Sequence, residues 1–303
     1  MRITQRSLAV TALQGLNRNQ EAIAKLQAQL TSGKTINKPS DDPTGTNAAM
    51  QTRQELTGAA QYARNISDGI GMLDATDSAL QNTIKQVQRV RDLTVKGLND
   101  GSLSEASRVA IATEVAGLRE SLIGLANTTV QGRPIFGGVT SGTTAYDAAT
   151  GAYTGFGGTA VPPVPAIPVN RQVSDADAIR VDITGPEAFG DPAGGDLFAL
   201  VGAIATDVVS DPAELAGHLE DLDVAVDRLL KAVADIGTRT SRIETAQQVN
   251  KDLQLSLTSR SAAIENVDLP KTIMNLQMQQ VGYEAALGAT AKAIQPTLLD
   301  FLR

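Results

Sequence analysis

Residues 56–98 read LTGAAQYARNISDGIGMLDATDSALQNTIKQVQRVRDLTVKGL, and their spacing decides the fold class. On a seven-residue repeat, one register runs Leu56, Ala63, Ile70, Asp77, Ile84, Arg91, Leu98. Its companion runs Ala59, Ile66, Leu73, Leu80, Val87, Thr94. Ten of these thirteen positions are apolar in a chain that is 42% hydrophobic, so the repeat predicts one long helix with a coiled-coil seam. Asp42-Pro43 supplies an N-cap and a proline at the first helical position, and Asn99-Asp100-Gly101 supplies the stop. Such a helix spans roughly 65 Å at ~1.5 Å per residue and cannot cover its own stripe, so it needs a partner.

The partner lies far along the chain. Leu215, Leu219, Leu222, Val226, Leu229, Val233, Ile236 and Ile243 alternate in steps of three and four, with Thr240 a polar slot, and the pattern resumes at Leu253, Leu257 and Ile264. The expected seam sets Leu56, Ile66, Ile70, Leu73, Leu80, Ile84 and Val87 against Leu222, Leu229 and Ile236. Between them, Ser102-Leu103-Ser104-Glu105 reads as a capping box. It opens a third helix with Ile111, Val115, Leu118, Leu122 and Leu125 that is expected to end near Gln131-Gly132.

Both ends add thinner helices. Leu13, Leu16, Ile23, Leu26 and Leu30 form the N-terminal stripe, interrupted by Asn19, Gln20 and Gln27. Ile273, Leu276, Tyr283, Leu287, Ile294 and Phe301 form the C-terminal one, with Pro296 expected to kink or shorten that helix. Breakers at Gly33–Pro43 and Asn266–Pro270 set both arms off, and their stripes are the candidate subunit interface. Residues 132–195 hold 12 of the 27 Gly and 7 of the 12 Pro, with short β-type runs at Ala166–Val173 and Ile179–Ile183.

The expected fold is therefore mainly α with a small β-rich insert: an elongated antiparallel helical rod built from the N- and C-terminal halves, with the β domain at the far end. This gives three domains: arms 1–44 with 266–303, a long-helix bundle 45–138 with 196–265, and an insert 139–195.

Composition excludes several chemistries. The chain has no Cys and one His, so Cys/His zinc sites, disulfides and a Cys nucleophile are out, and any Ser-His-Asp triad would have to use His218. That histidine sits beside the Leu215/Leu219/Leu222 stripe and reads as a helix-surface residue. A net charge of −7 and 3% aromatics disfavour nucleic acid as a partner. No apolar run reaches the ~18–20 residues of a membrane span, and Met1-Arg2-Ile3-Thr4-Gln5-Arg6 lacks the apolar region of a secretory signal. Gly33-Lys34-Thr35 imitates the end of a phosphate-binding loop, but Ala28 stands where the first glycine belongs and the segment follows a helix. Asp41 and Asp42 read as cap and turn residues, and Glu220, Asp221 and Asp223 as a solvated helix face. Neither an enzyme nor a cofactor is expected.

The run Leu26-Gln27-Ala28-Gln29-Leu30-Thr31-Ser32-Gly33-Lys34-Thr35-Ile36-Asn37-Lys38-Pro39-Ser40-Asp41-Asp42-Pro43-Thr44-Gly45 resembles the signature of the bacterial flagellin superfamily. So do Asn65–Ile70, Asp77–Leu80 and Ile264–Leu269. Within it, Met1-Arg2-Ile3-Thr4, Gly132-Arg133-Pro134-Ile135-Phe136-Gly137-Gly138 and Thr297-Leu298-Leu299-Asp300-Phe301-Leu302-Arg303 are similar to the hook–filament junction family. The resemblance implies an extracellular axial protein of the flagellum, exported unfolded by the flagellar type III apparatus. Its implied partners are hook-associated protein 1, flagellin, copies of itself in a ring, and an export chaperone on the C-terminal helix. It also implies terminal helices in an inner tube, long helices around them and the insert outside. A flagellin filament subunit and a non-flagellar signalling coiled-coil rod stand as alternatives.

Overall fold

The computed structural model describes residues 2–99, 104–140, 142–156, 167–191 and 195–294. In chain order the elements are α1 (Arg2–Ser32), α2 (Pro43–Gly97), α3 (Glu105–Ala126), β1 (Thr129–Val130), β2 (Arg133–Pro134), β3 (Asn170–Gln172), β4 (Ala178–Arg180), α4 (Gly185–Phe189), α5 (Leu197–Ser210), α6 (Leu215–Glu265) and α7 (Leu269–Ile294). The protein is thus mainly helical with a few short strands. It forms two compact units, Met1–Gly58 with Leu253–Arg303, and Ala59–Asp252. Helices α2 and α6 contribute to both.

In the Ala59–Asp252 unit, α2 and α6 run antiparallel. Asn250 Nδ2 donates to the Ala59 carbonyl (3.1 Å) near one end, Arg91 Nε to Asp223 Oδ1 (2.8 Å) further along, and Leu215 lies beside Gly97 at the other. One heptad stripe of α6 is buried without a break: Leu215, Leu222, Leu229, Ile236, Ile243 and Asn250. On α2 the companion register is equally continuous, Ala59, Ile66, Leu73, Leu80, Val87 and Thr94.

The second buried stripe of α2 is one the apolar pattern does not display. Gly69, Thr76, Thr83, Val90 and Gly97 are buried, whereas Ile70 and Ile84 are half-buried at the edge of the seam. Glycine and threonine fit there for separate reasons. A Cβ at Gly69 would meet the terminal methyl of Ile243 and crowd Val181, so glycine leaves room for these side chains against α2. Thr76 and Thr83 turn their hydroxyls back onto the carbonyls of Met72 and Ala79, both at 2.8 Å, and present only a methyl to the core.

Helix α3 packs against α5. Its N-cap is Ser104, which accepts from the Ser107 amide, two residues beyond the Ser102 start of the expected capping box. It ends at Ala126 rather than near Gln131-Gly132. Those two residues instead form the turn of the β1–β2 hairpin, with φ of 52° and 77°. Positive φ at both central positions suits a tight hairpin, and the β-branched run Thr128-Thr129-Val130 favours extended chain. Asn127 then ties the helix end onward: its Nδ2 donates to the Tyr146 carbonyl and its Oδ1 accepts from the amides of Ala145 and Tyr146.

Residues 139–195 hold the antiparallel ribbon β3–β4, a Tyr146–Tyr153 bridge and the short α4. Val161–Ala166, where the sequence marks proline-rich loops, lies outside the described residues. The aromatic side chains do not form a separate core. Phe136, Tyr146, Phe189 and Phe198 pack edge-on or tilted at 4.8–5.8 Å and belong to the same buried cluster as α2, α3, α5 and α6. Burial pushes the Tyr146 phenol far above its ordinary pKa and that of Tyr153 up to about 12.

Candidate assembly interface

The second unit carries the two arms. Helix α1 ends at Ser32, and Gly33 follows at φ 70° with its amide on the Gln29 carbonyl (2.9 Å), a left-handed helix stop. Helix α7 begins after Asp268, whose Oδ1 accepts from the Lys271 amide, with Pro270 in its first turn. The two helix roots are stitched together. Thr35 N donates to the Glu265 carbonyl (2.7 Å), Val267 N to that of Gly33 (3.0 Å), and the Thr35 hydroxyl to that of Asn266 (3.1 Å).

A three-way ion pair backs the stitch. Arg53 grips Glu265 in bidentate fashion, Nε to Oε1 at 2.8 Å and NH2 to Oε2 at 2.7 Å, and Lys34 Nζ reaches Oε2 at 2.9 Å. The Glu265 side chain is 7% exposed, against 46% for Lys34 and 57% for Arg53, so both cations reach in from solvent. Hydrogen bonds from Arg53 first and Lys34 second hold the Glu265 pKa down to about 2. The apparent phosphate-loop fragment Gly33-Lys34-Thr35 is thereby accounted for as a helix stop and a clasp. Of the aspartates downstream, Asp41 closes the turn before it and Asp42 caps α2. Asp41 Oδ2 accepts from the amides of Lys38 and Asn37 while Lys25 pairs with Oδ1, and Asp42 Oδ1 accepts from Gly45 N.

From these roots α1 and α7 pack together in antiparallel fashion, and Gln279 Nε2 donates to Asn19 Oδ1 at 3.1 Å further along. Their seam is shallow. On α1, Leu16, Ile23, Leu26 and Leu30 are half-buried, Leu13 is 57% exposed, and no described side chain is fully buried. On α7, Leu276 and Tyr283 are half-buried, while Ile273 and Leu287 face solvent. The side chains of Ile294 and Phe301 lie outside those described. Leu56 is half-buried in this unit; Ile66, Leu73, Leu80, Val87, Leu222, Leu229 and Ile236 are buried in the other.

Three features escape a reading of apolar spacing. Asn19, which looks like an interruption, sits in the seam and has a partner. Met274, Met278 and Val281 form a second, exposed apolar face on α7, with Val281 66% exposed. The Arg53–Glu265 pair joins residues far apart in the chain, and only the Ile264–Leu269 motif hints at it.

His218 Nε2 lies 2.9 Å from Asp207 Oδ2, joining α6 to α5. Among the described residues, no three His, Cys, Asp or Glu side chains gather as a metal site, and no helix is long and apolar enough to cross a membrane.

Residues 3–141 match the bacterial flagellin N-terminal helical region. Flagellar hook-associated protein 3 of Salmonella typhimurium is 26% identical over 94% of this chain and 95% of its own length. The chain is thus similar to flagellin-superfamily proteins, in its N-terminal region to the flagellin helical region and along nearly its whole length to hook-associated protein 3. Flagellin of Bacillus subtilis is 25% identical over all of both chains. A solved structure from Vibrio parahaemolyticus, described as a putative flagellar hook-associated protein, superposes with a TM-score of 0.65 at 20% identity, covering 75% of this chain and all of that one. Its likeness to these flagellar proteins supports a structural role in the flagellum, among flagellar partners.

Proposed function

We propose that this chain is the adaptor of the hook–filament junction, forming a ring between hook-associated protein 1 and the flagellin filament and reaching its place through the flagellar type III apparatus. The observation that carries an assembly role is the shallow α1–α7 seam: two apolar stripes that cover each other only by half and leave Met274, Met278 and Val281 in water. Exposed apolar faces of this kind are covered in a finished assembly. Similarity to hook-associated protein 3 along nearly the whole of both chains, together with the Gly132–Gly138 and Leu298–Leu302 motifs, supports the junction over other axial positions. In this reading residues 1–44 with 266–303 line the inner tube, 45–138 with 196–265 surround them, and 139–195 face outward. An export chaperone holds the exposed face of α7 before assembly.

A second reading, the filament subunit itself, is favoured by the end-to-end match to flagellin of Bacillus subtilis. Two measurements separate them. Deleting the gene should leave hooks in place while flagellin escapes as unattached monomer. Purified chain added to hook-bearing seeds should stop after a short layer. Long filaments grown from this chain alone would overturn the junction in favour of flagellin.

A further inference from the structure

The α1–α7 pair faces a problem of register. Leu16, Ile23 and Leu30 recur every seven residues on α1, and Leu276 and Tyr283 are seven apart on α7. Sliding one helix by a heptad, roughly 10 Å at ~1.5 Å per residue, brings apolar side chains opposite apolar side chains again. Because the seam is only half-buried throughout, such a slip loses little contact, and shape alone discriminates weakly between registers.

The roots of the pair do discriminate. The isolated bridge Lys34↔Asn266 and its flanking hydrogen bonds set the end of α1 beside the start of α7 at one position. If α1 slid, Glu265 at the end of α6 would lose Lys34, while Arg53 on α2 would stay beside it, so the shielded carboxylate would keep one of its two cations. Stripping one charge-assisted partner from this shielded carboxylate carries a penalty, whereas the intact pair adds little net stability; such groups are best attested as register devices. We propose that the Glu265–Lys34–Arg53 node is the register-setting element of the two arms, holding α1 and α7 in the one alignment that joins Asn19 to Gln279. The inference does not depend on where in the flagellum the chain sits, since any partner of the arms would meet a pair whose alignment is already chosen.

The chain has no native cysteine, so introduced thiols report without interference. One variant carries Asn19→Cys with Gln279→Cys, the native alignment; another carries Asn19→Cys with Ala286→Cys, one heptad away. Both remove the Asn19–Gln279 hydrogen bond and leave the backbone stitch and the node, the latter being what the next substitutions change. Each is joined by a short bismaleimide, and the ratio of native to slipped crosslink is read by mass spectrometry. The expected ratio strongly favours the native pair, and Glu265→Gln should lower it about tenfold, consistent with losing charge-assisted hydrogen bonds. Lys34→Met, which changes a half-exposed side chain, should lower it in the same direction if Glu265→Gln perturbs folding. A native-to-slipped ratio near one in the unaltered node, or a ratio that survives both substitutions, overturns the proposal. Neither outcome bears on the junction reading, which is decided by the deletion and seeding measurements.

Discussion

Two helix pairs in this chain share a heptad spacing and bury it to different depths. In the Ala59–Asp252 unit, Ile66, Leu73, Leu80 and Val87 meet the α6 stripe with no accessible surface left. In the other unit, the stripe of α1 is half-covered from Leu16 to Leu30 and exposed at Leu13. The number of layers accounts for the difference. The α2–α6 seam of the first unit shares its core with α3, α5 and the aromatic cluster of the insert, whereas α1 and α7 close on each other. Fully burying one Leu or Ile side chain contributes about 1.5–3 kcal/mol, against backbone ordering of about 1–2 kcal/mol per residue, so stability rests where side chains are fully covered.

The sharpest way to break this contrast is a charge in each seam. Leu80→Asp should lower the stability of the main core by about 4 kcal/mol or prevent folding, because it strands a carboxylate where nothing pairs with it. Leu13→Asp, at an exposed position of α1, should change the monomer's thermal unfolding by no more than about 0.5 kcal/mol. Similar losses from the two would show that the arms are as deeply packed as the core.

Next in size is a difference in opening. Amides of Leu16–Leu30 and Leu276–Tyr283 should exchange far faster in the free monomer than those of Ile66–Val90. Tyr283→Ala and Leu287→Ala should accordingly weaken incorporation into flagella while leaving the main melting transition in place. Strong protection across Leu276–Tyr283 before assembly would contradict the comparison.

Acid should sharpen it further. The folded Glu265 pKa of about 2 lies below the unfolded value near 4.5. Its contribution is therefore complete above about pH 4.5 and fades as pH falls toward 2. Arm exchange in the native chain and in Glu265→Gln should differ near pH 6 and converge toward pH 2–3. A gap independent of pH would rule out the carboxylate as the cause.

The smallest effect belongs to Asp147. Its position in the insert suggests that it is dispensable, yet its Oδ1 accepts from the amides of Ala149 and Thr150 and from the Thr150 hydroxyl, and these bonds lower its pKa. Asp147→Asn keeps the acceptor oxygen but loses the charge, so calorimetry should show the melting transition almost unmoved, with motility retained.

The amino-acid pattern by itself determined the long helices, the breakers that set off both arms, and the motifs of the superfamily. Local signals suffice for these: apolar residues at heptad spacing, Asp42-Pro43 at a helix start, Asp268 with Pro270 at another. Tertiary structure alone decided that Gly69, Thr76 and Thr83 join the core, because their fitness lies in small volume and a back-bonded hydroxyl rather than in hydrophobicity. It also decided that Gln131-Gly132 turns a hairpin, since a breaker marks where a helix cannot continue but does not choose between a hairpin and a loop beyond it. Above all it decided the Glu265 node. A carboxylate in sequence looks like any other surface charge, and its cations, 231 and 212 residues away, become partners only when the chain returns antiparallel to its own beginning.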